Sequence, residues 1–395
     1  MERCKGRNDN LPSRQQELLL RAALLEGDEA RKSWTWWEST VDIENLDPGS
    51  NQFLPLLYRN LGRMGVSCPE LSRFKGVYRH TWYKNKMLFH DCTAVVRSFV
   101  EAGIETMLMK GAALVVRHYR DYGLRAMADM DVLVPFDKAR AAIDLLKQQG
   151  WVPEFDFSDT VLKVYIRSRH SYGFTSPAGR SMDLHWHVLQ DYCRKEDDVD
   201  FWEGSLPILV QDIPTRILAP ADQLLHVCLH GAIWNPVPTL RWIADAVVIV
   251  KTSPELDWGR LVSLTQERGR TLTMRESLEY LAEKLDLPVP QGVMHALRTT
   301  PVTMGERLEY TALTSSVQRR GPFLSFWFRY RWHVRSESGR GIFSRLITFP
   351  RFLQFIWRRE TLWQVPLYGL CEGIQRIRGL LVRTAGRRAR TVSSP

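Results

Sequence analysis

Residues 104–134 read IETMLMKGAALVVRHYRDYGLRAMADMDVLV. The hydrophobic pattern predicts a strand at the start of this segment, a short helix over 111–119 and a second strand over 130–134. Successive side chains of a strand point to opposite faces, so Asp129 and Asp131 lie on one face. Two carboxylates at this spacing can share a pair of divalent ions.

The downstream segment predicts a helix over 137–149, then strands over 165–175 and 181–188 joined by a Ser-Pro-Ala-Gly turn. The last of these strands carries Asp183. If it lies beside the first aspartate strand, Asp183 completes a carboxylate triad. The order strand, helix, strand, helix, hairpin predicts an α+β fold with a mixed sheet.

Helical patterns flank this core on both sides. They predict an N-terminal helical region over 1–102, the mixed-sheet core over 103–190, a helical region that completes a cleft over 191–315, and an arginine-rich aromatic tail over 316–395. The Asp-Pro-Gly-Ser run at 47–50 punctuates the first region.

The positive charge of the chain is concentrated in the tail. The chain carries a net charge of +10, whereas the segment from Arg319 to Arg390 has sixteen arginines, three acids and a charge of +13, so the remainder sums to −3. An amphipathic basic helix is predicted over 370–390. Three partners stay open for the tail: the body of the protein itself, an anionic membrane surface, or a polyanion.

The sequence also bears on localisation. The first ten residues lack the apolar stretch of a secretory signal. No window reaches the roughly 18 uncharged apolar residues of a membrane span. We therefore expect a cytoplasmic protein, with a peripheral membrane location left open by the basic tail.

Three ordered motifs resemble a known family. They are Lys-Gly-Ala-Ala-Leu at 110–114, Leu-Arg-x-x-x-Asp-x-Asp-Val-Leu-Val at 124–134 and Asp-Leu-His-Trp at 183–186. Together they resemble the bacterial uncharacterised nucleotidyltransferase family of the DNA polymerase β-like superfamily. The resemblance implies a nucleotidyltransferase-like mixed-sheet core, in which Asp129 and Asp131 bind two Mg²⁺ (or Mn²⁺) ions and Asp183 aids the catalytic ion.

The resemblance also implies a phosphate-binding turn. Gly111 corresponds to the glycine that begins a helix beside the triphosphate, with Lys110 and the backbone of Ala112 as further nucleotide contacts. The family turn usually has Gly-Gly or Gly-Ser, so the alanine removes a hydroxyl contact to phosphate. Arg125 either contacts phosphate or pairs with an acid to hold its loop; both alternatives stay open.

Histidines form a second group of candidates. His185 and His187 share the face of Asp183 and either lie partly buried in the strand or shape the acceptor pocket. His230 either joins two helices, together with His226, or lines the pocket. Arg241 and Asp245, four residues apart, are predicted to form an ion pair on their helix.

These features predict a nucleotidyltransferase that uses a nucleoside triphosphate and Mg²⁺ or Mn²⁺. Its acceptor, a small molecule, peptide or polymer, is not indicated by the residues. The alternative is a non-catalytic nucleotide-binding or scaffold protein on the same fold, which the missing turn hydroxyl favours and the carboxylate triad opposes.

Overall fold

A computed structural model describes residues 11–234, 240–314, 321–336 and 342–370. The amphipathic helix predicted over 370–390 lies outside these residues, apart from its first position. Between residue 11 and the sheet the chain forms five α-helices: α1 Arg14–Leu24, α2 Gly27–Thr40, α3 Pro48–Asn51, α4 Leu54–Met64 and α5 Leu71–Glu101. Helix α1 begins with a capping box, in which Ser13 and Gln16 satisfy each other's backbone amides.

The described residues contain one seven-stranded mixed sheet with strand order β3-β4-β5-β2-β1-β7-β6. The strands are β1 Met107–Leu108, β2 Asp129–Leu133, β3 Val152–Pro153, β4 Ser171–Thr175, β5 Ser181–His185, β6 Leu206–Val210 and β7 Ile213–Ile217. The helices between them are α6 Lys110–Leu114, which continues as a π-helix over Val115–Tyr119, α7 Ala139–Gln148, α8 Asp159–Ser168 and α9 Val199–Glu203.

Helices again dominate after the sheet. They are α10 Pro220–Leu229, α11 Arg241–Thr252, α12 Trp258–Glu267, α13 Thr271–Leu285, α14 Gln291–Thr299, α15 Met304–Thr314, α16 Gly321–Ser336 and α17 Ile342–Ile356. In the described part of the chain, no helix combines the length and the apolar character needed to cross a bilayer.

Two apolar cores enclose the sheet. One contains side chains of α5 and α7 together with Met130, Val132 and Leu184 from one sheet face. The other unites α1, α4, α10, α11 and α13, and takes Met107 and Leu133 from the strands. The α+β fold class and the mixed sheet predicted from the sequence are confirmed.

Two local predictions were wrong. The segment from Tyr165 to Ser168 ends helix α8 rather than beginning a strand, because Leu162 and Ile166, four residues apart, are both buried as on one helix face. Strands β6 and β7 were missed. Each carries a proline, Pro207 and Pro214, which ordinarily argues against a strand.

The described part of the arginine-rich tail packs against the body. Arg335 of α16 forms ion pairs with Asp191, at 3.1 Å, and with Glu309, at 3.0 Å. Phe328 and Phe352 are buried, and the ring of Phe355 lies 6.2 Å from that of Tyr165 in α8. These contacts attach α16 and α17 to α8, to α15 and to the segment that carries Asp191.

Candidate active site

Strand register brings two of the three predicted carboxylates together. Strands β2 and β5 are parallel and in register, with Asp131 opposite Asp183 and Asp129 opposite Ser181. Residues opposite each other in parallel strands share a face, so all three aspartates lie on the same side of the sheet. Carboxylate oxygens of Asp131 and Asp183 and a ring nitrogen of His185 lie within 4.8 Å of one another.

Asp129 lies further along the same face and is not a member of this close group. It is half-buried. Burial, followed by the negative charges of Asp131 and Asp183, raises the pKa of Asp129 to about 6. Three carboxylates on one face therefore repel one another, and the local arrangement favours a cation.

Lys110 supplies one such cation. Its Nζ donates to Asp131 Oδ1 at 2.5 Å and lies 3.4 Å from His185 Nε2. Burial would lower the pKa of this lysine, but the charge of Asp131 outweighs burial and raises it. Burial would likewise raise the pKa of Asp131, yet Lys110 and His185 hold it well below its usual range. Both groups are therefore charged at neutral pH.

The backbone of Lys110 is strained. Its φ of 44° lies in the left-handed region, which costs a residue other than glycine about 1 kcal/mol. Lys110 is the first residue of α6, and the N–H of Met109, just before it, donates to the carbonyl of Asp131 at 3.0 Å. The turn between β1 and α6 therefore directs the lysine towards the aspartate strand, and strain of this kind clusters at functional sites.

His185 contacts the same carboxylate. Its side chain is fully buried, and Nε2 lies 3.0 Å from Asp131 Oδ1. Because an ionised carboxylate only accepts hydrogen bonds, Nε2 carries a proton and donates it. Nδ1 has no hydrogen-bond partner among the described residues. His187 is directed elsewhere, since its Nδ1 bonds to Asp198.

Arg125 holds its loop through an acid. Its Nε and Nη2 each donate to Asp245 at 2.8 Å, and Tyr119 Oη donates to the same carboxylate at 2.8 Å. Of the two alternatives for Arg125, the structure shows the ion pair. The predicted pair between Arg241 and Asp245 was wrong, because Arg125 and Tyr119 occupy the Asp245 carboxylate.

Gly111 is required for packing against Arg125. A methyl group at this position would overlap Arg125 Nη1 and lie 2.8 Å from Met127 Sδ. Ala112, next to it, is fully buried. The glycine of the turn therefore lets the guanidinium lie over the start of α6, and Nη1 takes part in neither of the bonds to Asp245.

Arg241 and His230 complete the surroundings. Arg241, at the start of α11, adds positive charge near Asp129. Among the described residues it forms no ion pair with a carboxylate. The rings of His226 and His230 stack at 5.6 Å. Burial, followed by the charge of Lys110, lowers the pKa of His230 to about 3, so this ring is neutral at neutral pH.

Sequence reasoning missed two residues beside Asp183. A methyl group on Gly173, opposite Asp183 on β4, would lie 3.3 Å from Asp183 Oδ1 and 3.3 Å from Glu154 Oε2. Gly173 therefore leaves space between two carboxylates. A glycine inside a predicted strand is the sequence signal that could have indicated this close approach.

The donor set fits a divalent cation. Asp131 and Asp183 offer oxygen ligands, which Mg²⁺ and Mn²⁺ prefer, while His185 orients Asp131 by donating its Nε2 proton to that carboxylate. Three aspartates lie near two positively charged side chains, Lys110 and Arg241, so the group carries more negative than positive charge. Lys110 bonds to only one oxygen of Asp131 and leaves Asp183 without an ion pair among the described residues.

The fold and this site define an α+β protein with a carboxylate cluster on two adjacent parallel strands of a mixed sheet. Residues 50–286, more than half of the chain, match the family described as "Uncharacterised nucleotidyltransferase". The chain therefore belongs to the uncharacterised nucleotidyltransferase family. The matched residues include all the strands and every site residue described above.

Comparisons with solved structures and with curated proteins give less information than the family match. Among solved structures, the chain is similar to an antigenic nucleotidyltransferase-like protein from Paracoccidioides brasiliensis, with 12% identity and a TM-score of 0.34 over 55% of this chain and 95% of that one. A likeness at this level is too low to support an argument about function. No curated protein matched the sequence.

Proposed function

We propose that this protein is a divalent-metal-dependent nucleotidyltransferase that moves a nucleoside monophosphate from a nucleoside triphosphate to an acceptor. One observation carries the proposal: Asp131 and Asp183 lie opposite each other on adjacent parallel strands, with ligand atoms within 4.8 Å. Membership of a nucleotidyltransferase family supports the reaction class.

In this proposal the three aspartates differ in role. Asp131 and Asp183 would hold Mg²⁺ or Mn²⁺, and Asp129, the first residue of β2, would be a further ligand. Bound there, the ion would neutralise phosphate charge and polarise the reacting phosphoryl group. Asp183 would accept the proton of the acceptor hydroxyl, because Asp131 keeps its hydrogen bond from His185, whereas Asp183 has no ion pair among the described residues.

The cations contact the nucleotide. With a metal ion on the carboxylates, the Lys110 ammonium would donate to a phosphate oxygen instead of to Asp131 Oδ1. Arg241, which lacks an ion pair among the described residues, provides a second phosphate contact. Arg125 Nη1 adds a third without breaking its two bonds to Asp245. Catalysis then rests mainly on positioning and charge stabilisation.

The direct test follows the α-phosphate. The purified protein is incubated with each α-labelled nucleoside triphosphate, Mg²⁺ or Mn²⁺ and a cell extract, and labelled products and pyrophosphate are measured. We expect transfer of label by the native protein and loss of at least about 100-fold in Asp131→Asn and Asp183→Asn. Asp144→Asn is the matched control, because Asp144 pairs with Arg140 on the exposed face of α7.

Label transfer that persists in both site variants contradicts the proposed site, because it places the chemistry elsewhere. Absence of transfer with every nucleotide and extract, in a protein that still binds the metal and nucleotide, contradicts catalysis.

A second function is favoured by one contact. Lys110 Nζ lies 2.5 Å from Asp131 and could replace the metal permanently, which would leave a non-catalytic nucleotide-binding or scaffold protein. Lys110→Met distinguishes the two functions. The enzyme loses phosphate contacts but still binds Mn²⁺, whereas in a lysine-filled site only the variant binds the metal.

A further inference from the structure

A cleft between the core and the two C-terminal helices contains positive charge that the proposed reaction does not use. The cleft is small and partly open to solvent, and its lining is both polar and apolar. Asp131 and Asp183 do not line it. We call it the C-terminal cleft. The residues of its lining that the argument uses are Arg169, Arg329, Trp332, His333, Phe352 and Phe355.

Two arginine side chains line this cleft together. Arg169 follows α8, and its Cζ lies 5.0 Å from the centre of the Phe355 ring. Arg329 comes from α16. Burial, followed by the positive charge of Arg169, lowers the pKa of Arg329. Like charges held close together in a partly desolvated cleft destabilise the protein unless an anion lies between them.

The described residues provide no such anion. Neither guanidinium forms an ion pair with a carboxylate there, no Asp or Glu of this part of the chain lines the cleft, and Arg169 Nε is buried without a hydrogen-bond partner. The contrast is Arg335 on the same helix, whose guanidinium meets both Asp191 and Glu309. The fold satisfies one arginine of α16 and leaves another facing a cavity.

We propose that the C-terminal cleft binds a phosphate group between Arg169 and Arg329. A phosphate dianion matches two guanidinium charges, and each planar fork can donate two parallel hydrogen bonds to its oxygens. The rings of Trp332, Phe352 and Phe355 would contact an apolar or aromatic body attached to the phosphate. This site is independent of the proposed transferase activity.

Thermal unfolding with added ligand tests the site. Inorganic phosphate raises the melting temperature of the native protein above that in NaCl of equal ionic strength, because a ligand selective for the folded state stabilises it. Arg329→Gln weakens phosphate binding at least about tenfold, since a charged hydrogen-bonded pair is lost. Arg331→Gln is the matched control, because Arg331 lies on the same helix but stacks over Trp327 at 4.9 Å.

Further arms identify the source of the phosphate. Tighter binding of phenyl phosphate than of inorganic phosphate supports a phosphate ester with an aromatic body, and equal binding supports free phosphate. A nucleotide whose stabilisation is lost in Arg329→Gln but kept in Asp131→Asn binds through this cleft.

Three results overturn the proposal: equal stabilisation by NaCl, benzoate binding as tightly as phenyl phosphate, or full phosphate stabilisation in the Arg169→Gln, Arg329→Gln double variant. Arg329 is exposed as a whole residue, although the cleft removes part of its side chain from solvent. We therefore expect Arg329→Gln to fold, and this variant alone tests the site if Arg169→Gln does not fold. Without ligand it is at least as stable as the native protein, because the substitution removes like-charge repulsion.

Discussion

Replacing Asp129 with asparagine should stabilise the metal-free protein. Burial and two neighbouring carboxylates raise the pKa of Asp129 from 3.8 to about 6. At 1.36 kcal/mol per unit, a shift of this size corresponds to about 3 kcal/mol. Because the side chain is partly exposed and solvent screens its charge, we expect about 2 kcal/mol, or roughly 2 °C in melting temperature for a chain of this length.

The stability difference between the native protein and Asp129→Asn should depend on pH. An acid with a raised pKa binds its proton more tightly in the folded state than in the unfolded state. The free energy of unfolding of the native protein therefore falls between about pH 4 and pH 6 because of this group, and the loss is complete above pH 6. Asp129→Asn lacks this ionisation, so its advantage is near zero at pH 4 and reaches its full value at pH 7.

Urea unfolding of both proteins between pH 4 and pH 8, in EDTA, measures this difference. Asp144→Asn, with a carboxylate exposed on α7, should change stability by less than about 0.5 kcal/mol at each pH. An Asp129→Asn protein that is less stable than the native one at pH 7, or equally stable across the range, would refute the reasoning from carboxylate repulsion.

Three further substitutions test the surroundings of the site. Lys110→Met removes the cation from a buried carboxylate and should lower the free energy of unfolding, measured in urea, by about 3 kcal/mol. Added Mn²⁺ should raise the melting temperature of this variant by more than it raises that of the native protein. Arg125→Ala should cost about 3–5 kcal/mol, and combining it with Asp245→Asn should cost less than the two single changes together; additive costs would argue against a coupled pair. Gly111→Ala should destabilise by about 1–3 kcal/mol through overlap with neighbouring side chains, whereas Gly76→Ala, with open space around it in α5, should be neutral or stabilising by up to about 1 kcal/mol; equal effects would contradict the packing role of Gly111.

The arrangement of aspartates could be predicted because it depends on local rules. Alternation along 129–134 and 181–188 assigns faces without knowledge of the rest of the fold. The structure then adds that β2 and β5 pair in register, so that Asp131 meets Asp183. Pairing register depends on the whole sheet, and only the face could be read from the sequence.

Partners distant in sequence could not be predicted. Asp245 pairs with Arg125, 120 positions away, whereas the sequence pattern indicated Arg241 at helical spacing. Local spacing shows which residues can meet on one helix but not which helix packs on which loop. The contact from Lys110 to Asp131 was missed for a related reason, because it depends on the left-handed backbone of a lysine, which sequence preferences argue against.

The central claim is that Asp131 and Asp183 bind a divalent cation together with a nucleoside triphosphate. Electron paramagnetic resonance of Mn²⁺, titrated with protein in the presence of a non-hydrolysable nucleoside triphosphate, measures bound and free metal directly. The native protein and Asp144→Asn should bind Mn²⁺ alike. The Asp131→Asn, Asp183→Asn double variant should need an at least about 10-fold higher protein concentration to bind the same fraction of Mn²⁺, as expected for a lost charged ligand set (roughly 1.4 kcal/mol or more). Unchanged Mn²⁺ binding in a folded double variant would contradict the account, because the metal would then be bound elsewhere.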